Sequence, residues 1–166
     1  DKTVPDPTIE NVEEALQLYH QHQCKGIIAF GGGSPMDCAK IVGARVSRPN
    51  KPIEKMKGVL KVVSKIPTLI AVPTTAGTGS EVTLAAVISN SETLEKYPIN
   101  DFCLIPHYAV HDPELTLKLP PQITAPTGMD AMTHAVEAFI GNSNTRETRE
   151  SALQAITLIH HNLLKA

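Results

Sequence analysis

The stretch GIIAFGGGSPMDCAK, residues 26–40, joins a continuous apolar run to three glycines and then to a segment with helical spacing. Residues 26–30 carry no polar side chain, which predicts a strand buried on both faces of a parallel sheet. From Ser34 to Ser47 helical periodicity resumes, with Pro35 near the first turn, where a missing N–H is tolerated. Strand, glycine turn and helix in this order open an α/β layered unit. The amides of such a turn, together with the positive end of the helix, can hold a phosphate, because glycine offers no side chain to block its approach. The same residues can also be read as a tight turn in which Ser34 caps the helix and Asp37 complements its dipole. The common dinucleotide fingerprint GxGxxG fails here, since Met36 stands where its third glycine would fall.

Upstream, Val12, Ala15, Leu16 and Tyr19 recur at helical spacing, predicting a helix from Thr8 to Gln23 with Thr8 as its N-cap. Downstream, residues 48–67 read as an irregular connection. TLIAVPT from Thr68 and TLAAVISN from Thr83 then read as buried strands, and residues 96–112 supply one or two short ones. Between the first two lies PTTAGTGSE, residues 73–81, which is no P-loop because AGTGSE lacks the following Lys. It offers Thr74, Thr75, Thr78 and Ser80 at the carboxyl edge where the glycine turn also lies, and the two loops together form a crevice for a nucleotide. After Pro113 the strand-like runs vanish and helical periodicity takes over. A boundary near Asp112 divides an α/β part, residues 1–112, from the start of a helical part, residues 113–166.

The 15 basic and 17 acidic residues give a net charge of -2 and are spread along the chain, without the basic stripe that nucleic acid or an anionic membrane would favour. No run approaches the roughly 18 apolar residues of a membrane span. Cys24, Cys38 and Cys103 are odd in number and widely spaced, so they read as buried thiols in a reducing cytoplasm. The chain begins at Asp1, just ahead of a helix, and reads as a piece of a longer protein.

In GMDAMTHAVEAF, residues 128–139, Asp130 and His134 stand four apart on a helix and can point at one ion. The spacing equally permits a carboxylate to imidazole hydrogen bond, and two ligands do not complete a metal site. His20 and His22 point to different sides of their helix, and His160 and His161 suit a helix C-terminus, so none of these four extends the pair. His107 and His111 flank the last predicted strand.

GGGSPMDCAK, PTTAGTGSEVT, DPELTLKLP and TGMDAMTHAVEAF resemble, in order and spacing, the signature segments of the iron-containing (group III) alcohol dehydrogenase family. That resemblance implies a Rossmann-like nucleotide-binding α/β domain followed by an all-helical domain, the dehydroquinate synthase-like two-domain architecture. It implies that Gly32, Gly33, Ser34 and Asp37 line the pyrophosphate and ribose region of NAD or NADP. By the same resemblance Thr74, Thr75 and Thr78 line the nicotinamide side and Lys96 reaches the cofactor ribose. Asp130 and His134 match the first two metal ligands, with Fe(II) the usual ion and Zn able to take its place. The family's other two ligands are His residues further along than residue 166, and its first βαβ unit would precede Asp1. Pro126 departs from the small helix former usual at that place and is expected to kink the helix. The implied activity is hydride transfer between a primary alcohol or aldehyde and NAD(P), by a cytoplasmic homo-oligomer without nucleic-acid or membrane partners. A related polyol dehydrogenase, a metal-independent reductase, or a non-catalytic nucleotide-binding fragment are the alternatives.

Overall fold

The computed structural model describes residues 3–166. Asp1–Thr74 with Ser80–Asp112 form one compact unit, and Thr75–Gly79 with Pro113–Ala166 a second. The first unit is α/β with a parallel sheet, and the second is helical.

Helix α1, Ile9–Gln21, starts at Thr8 through a capping box in which the Thr8 hydroxyl accepts from Asn11 N–H and the Asn11 side chain accepts from Thr8 N–H. Val12 and Leu16, one turn apart, bury its inner stripe. Strand β1, Gly26–Gly31, leads directly into α2, Gly33–Ser47, whose residues 38–44 are buried almost without interruption. β2, Gly58–Val59, is a short strand within the irregular connection. β3, Thr68–Pro73, pairs in parallel with β1 in the register Gly31↔Pro73. β4, Ala85–Asn90, and β5, Glu95–Asn100, form an antiparallel hairpin, and β6, Tyr108–Ala109, pairs in parallel with β3. Two three-stranded sheets result, β1-β3-β6 wholly parallel and β2-β5-β4 mixed.

Helix α2 packs against β1, β3 and β4, and α1 packs against α2. Met36, Ile41, Leu69, Ile88 and Ile99 are buried together in the resulting core. Side chains of this size each contribute about 1.5–3 kcal/mol when removed from water, and these few anchor α2 as a fixed platform. The expected burial of β1 on both faces is corrected: Ile28 and Phe30 are 69% and 61% exposed. The pleat sends Ala29 to the helix side and Ile28 and Phe30 to the other, which no element among the described residues of this unit covers. Cys24 is likewise exposed, just beyond α1, whereas Cys38 is buried.

In the helical unit α3, Pro121–Ile140, and α4, Arg146–Asn162, pack on each other. α3 continues as a single helix through Pro126. Beside that proline the hydroxyls of Thr124 and Thr127 donate to the carbonyls of Pro120 and Ile123. Asn144 closes its end by donating to Ala138 and Phe139 carbonyls, and the Thr145 hydroxyl caps α4. Among the described residues no helix is long and apolar enough to cross a membrane.

Candidate functional site

The glycine turn owes its shape to Gly31, at φ +147°, where a Cβ would lie 2.7 Å from Pro35 Cγ. A bare backbone lets α2 begin at once. Gly32 is the N-cap and makes no side-chain capping bond, so the first-turn amides of α2 keep no internal acceptor from the cap. This replaces the alternative in which Ser34 caps the helix: Ser34 sits inside the first turn and its hydroxyl oxygen accepts from Asp6 N–H at 3.2 Å. The alternative role of Asp37 as a dipole complement is also set aside, since it lies beyond the first turn.

Asp37 instead faces inward. Its Oδ1 accepts from the Ser80 hydroxyl at 2.7 Å and its Oδ2 from Val87 N–H at 2.9 Å. Burial pushes its carboxyl up from the ordinary value, opposed by those two donors and by the charges of Lys40 and Lys96. Lys40, three residues on, is 0% exposed. Its Nζ donates to Ser80 Oγ at 3.0 Å, Thr83 O at 3.0 Å, Thr83 Oγ1 at 3.1 Å and Ala85 O at 2.7 Å. Burial draws this ammonium down to about 8, against the opposing charges of Asp37 and Glu81.

Because β1 and β3 are parallel neighbours, the loops that follow them leave the sheet at the same edge. Thr74 N–H donates to Gly31 O at 2.9 Å, tying the start of the second loop to the end of β1. Thr75 and Thr78 belong to the segment that groups with the helical unit. There a Cβ on Gly77 would lie 2.4 Å from Thr127 O, so the bare glycine permits the loop to rest on α3.

Lys96 lies exposed on β5, paired with the Asp6 carboxylate. Asp6 therefore joins two of the expected cofactor residues, with its N–H on Ser34 and its carboxylate on Lys96. Sequence reasoning missed it. Asp6 adopts φ +56°, a conformation that Asp tolerates better than most residues, and the flanking Pro5 and Pro7 were the available signal. The adjacent Pro7 O accepts from Ser89 N–H, which fixes this segment along β4.

On α3, Asp130 Oδ1 and His134 Nε2 lie 3.8 Å apart, with side chains 45% and 54% exposed. That distance is too long for a hydrogen bond, so the pair shares a face without consuming its own lone pairs. Among the described residues no group of three or more His, Cys, Asp or Glu side chains is placed to hold a metal. Three of the other histidines are used locally: His107 Nδ1 accepts from Leu69 N–H, His111 lies 3.2 Å from Glu81, and His161 lies 2.8 Å from the Thr157 carbonyl. A cavity of about 680 Å³ also opens within the helical unit, lined by Gly77, Thr127, Gly128, Ala131 and Leu163, and by neither Asp130 nor His134.

Residues 1–113 match the family model "Iron-containing alcohol dehydrogenase", and residues 124–166 match "Fe-containing alcohol dehydrogenase family, C-terminal". The chain is 40% identical over 164 residues to an NADPH-dependent butanol dehydrogenase of Clostridium saccharobutylicum, covering 98% of this chain and 42% of that protein. Its fold matches the crystal structure of a 1,3-propanediol oxidoreductase with a TM-score of 0.94 at 40% identity, covering 98% of this chain and 42% of that one. It also matches sulfoacetaldehyde reductase from Bifidobacterium kashiwanohense in complex with NAD+, with a TM-score of 0.87 at 34% identity, covering 98% and 43%. The chain thus spans less than half the length of these relatives. With both halves matched in the order that the four motifs prescribe, the chain belongs to the iron-containing alcohol dehydrogenase family.

Proposed function

We propose that the full-length protein is an NAD(P)-dependent, metal-assisted alcohol dehydrogenase that interconverts a small primary alcohol and its aldehyde. The observation that carries this reading is the pair of loops after β1 and β3, which leave one sheet edge beside an α2 N-terminus with no side-chain cap. Uncapped amides at the positive end of a 15-residue helix fit a pyrophosphate. Gly32, Gly33 and Ser34 would hold it there. Thr74, Thr75, Thr78 and Lys96 would complete the ribose and nicotinamide contacts, with Lys96 exchanging its Asp6 partner for a ribose hydroxyl, while Asp37, its carboxylate turned to Ser80 and Val87, supports this edge from within. The relative solved with NAD+ is consistent with a dinucleotide at this edge.

Asp130 and His134 fit two positions of a divalent metal site, being one carboxylate and one imidazole that leave each other unbonded. Two ligands do not complete such a site, and among the described residues no third His, Cys, Asp or Glu joins them. When bound, the metal supplies Lewis acidity toward the substrate oxygen, and the nicotinamide is the hydride donor or acceptor. The chain's own contribution is placement. α3 presents the two ligands one turn apart, and the α/β unit fixes the phosphate end of the cofactor. Fe(II) and Zn both suit the ligand pair. We assign the protein to the cytoplasm and to a homo-oligomer, the former because its thiols are unpaired.

The test is turnover by the full-length protein with butanal, Fe(II) and either NADH or NADPH. Sustained oxidation of the reduced cofactor that depends on both aldehyde and metal supports the proposal. Turnover that survives metal removal points to a metal-independent reductase, and none under any condition points to a nucleotide-binding role without catalysis.

A further inference from the structure

We propose that Asp37 and Lys40 are positioning residues, which fix the returning end of the second cofactor loop against the helix that carries the first. The proposal rests on the dinucleotide reading above. The two residues stand three apart and so share one face of α2. From that face they engage a single short segment. Asp37 takes the Ser80 hydroxyl and Val87 N–H, while Lys40 donates to Ser80, Thr83 and Ala85. Ser80 is held by both, accepting from Lys40 and donating to Asp37, and it is 5% exposed. It is also the first residue of the α/β unit after the 75–79 segment. The opposite end of that loop is tied by Thr74 N–H to Gly31 O. Both ends therefore hang on the β1–α2 unit, one through the backbone and one through this buried side-chain node.

Energetics argue that the node serves placement rather than stability alone. Taking an ammonium out of water costs several kcal/mol, and an aliphatic side chain of similar volume would fill the space without that cost. What Lys40 supplies is direction: its four acceptors, within 2.7–3.1 Å, all lie on residues 80–85. An apolar residue would leave those carbonyls without a donor and the segment free to shift. A displacement there shifts the anchored end of the second loop while leaving the glycine turn itself intact.

The experiment is NADH titration of the full-length protein as wild type, Lys40→Met and the milder Ser80→Ala, reading dissociation constant and stoichiometry separately. Positioning predicts a dissociation constant raised about tenfold in Lys40→Met, equivalent to about 1.4 kcal/mol, and raised several-fold in Ser80→Ala. Stoichiometry and metal content stay at wild-type values. A merely structural role instead lowers stoichiometry at an unchanged dissociation constant, and that result overturns the proposal. If Lys40→Met does not fold, Ser80→Ala decides alone. Unchanged affinity in the variants defeats this proposal only, whereas a wild type that binds no NADH defeats the dinucleotide reading and this proposal with it.

Discussion

The charge on Lys40 makes a prediction about stability that can be worked through. Its side chain is wholly buried, and burial lowers its pKa from 10.5 to about 8. Below pH 8 the lysine is protonated in both folded and unfolded chains, and the folded state bears the full desolvation cost. Between about pH 8 and 10.5 the unfolded chain still holds a proton that the folded chain has released, so stability rises with pH across that window. At about 1.4 kcal/mol for each tenfold difference in proton affinity, the gain is about 3 kcal/mol. Cys103 acts in the opposite sense, because burial raises its thiol from 9 to about 11 and the folded chain keeps that proton longer. Lys40→Met retains Cys103, so the difference between wild type and variant isolates the lysine. Urea unfolding of the full-length protein, followed by circular dichroism between pH 7 and pH 10, measures it. The wild type should gain about 2.5 kcal/mol relative to the variant over this range, which stops half a unit short of the unfolded value. Parallel profiles, or a wild type that loses ground, would refute the reasoning.

Three further outcomes follow from other contacts. Gly77→Ala places a Cβ 2.4 Å from the Thr127 carbonyl oxygen and 2.8 Å from Thr127 Cβ, which a helix backbone cannot yield to cheaply. It should cost about 1–3 kcal/mol, and an unshifted thermal midpoint would show that the loop does not rest on α3. Asp101 accepts from Val62 and Val63 N–H at 3.0 and 2.9 Å; burial alone would raise its carboxyl, but these and the Cys103 N–H hold it below the ordinary carboxylate range. Its stabilisation is therefore present above the unfolded value of 3.8 and lost as pH falls through the lower folded value. Asp101→Asn should cost about 1–3 kcal/mol at pH 7, with the gap to wild type closing below pH 4 in urea titrations. Gly33→Val should weaken NADH binding by blocking the phosphate approach, and an unchanged titration would remove Gly33 from the site.

Much of this organisation is written locally in the sequence. The apolar run at 26–30, the three glycines and the helical spacing after Ser34 are contiguous signals, and the structure places β1, Gly31 and α2 where they indicate. The Thr8 cap is equally local, though the reciprocal bond from Asn11 depends on a side chain outside the usual Glu or Gln pattern. What composition alone does not show is partnership across distance. The β4–β5 hairpin, unlike the other long strands, is antiparallel, and its turn at Leu94, φ +55°, carries no glycine to announce it. The burial of Asp37 and Lys40 depends on residues 80–87, some 40 to 50 positions away, which no local pattern around the two residues encodes. Asp6 gathers Ser34 and Lys96 from 28 and 90 residues away, which no short motif encodes. The exposure of Ile28 and Phe30 shows the converse limit: an apolar run states that a strand can be covered on both faces, not which segment covers it.

The most direct test of the central reading is the metal content of the full-length protein, wild type against Asp130→Ala, measured by elemental analysis alongside NADH titration of the same samples. Asp130 and His134 sit one turn apart on α3 without bonding each other. Loss of the carboxylate should therefore abolish metal retention, while the dinucleotide, held by the α/β unit, still binds with wild-type affinity. Unchanged metal content in Asp130→Ala would contradict the assignment of this pair as metal ligands.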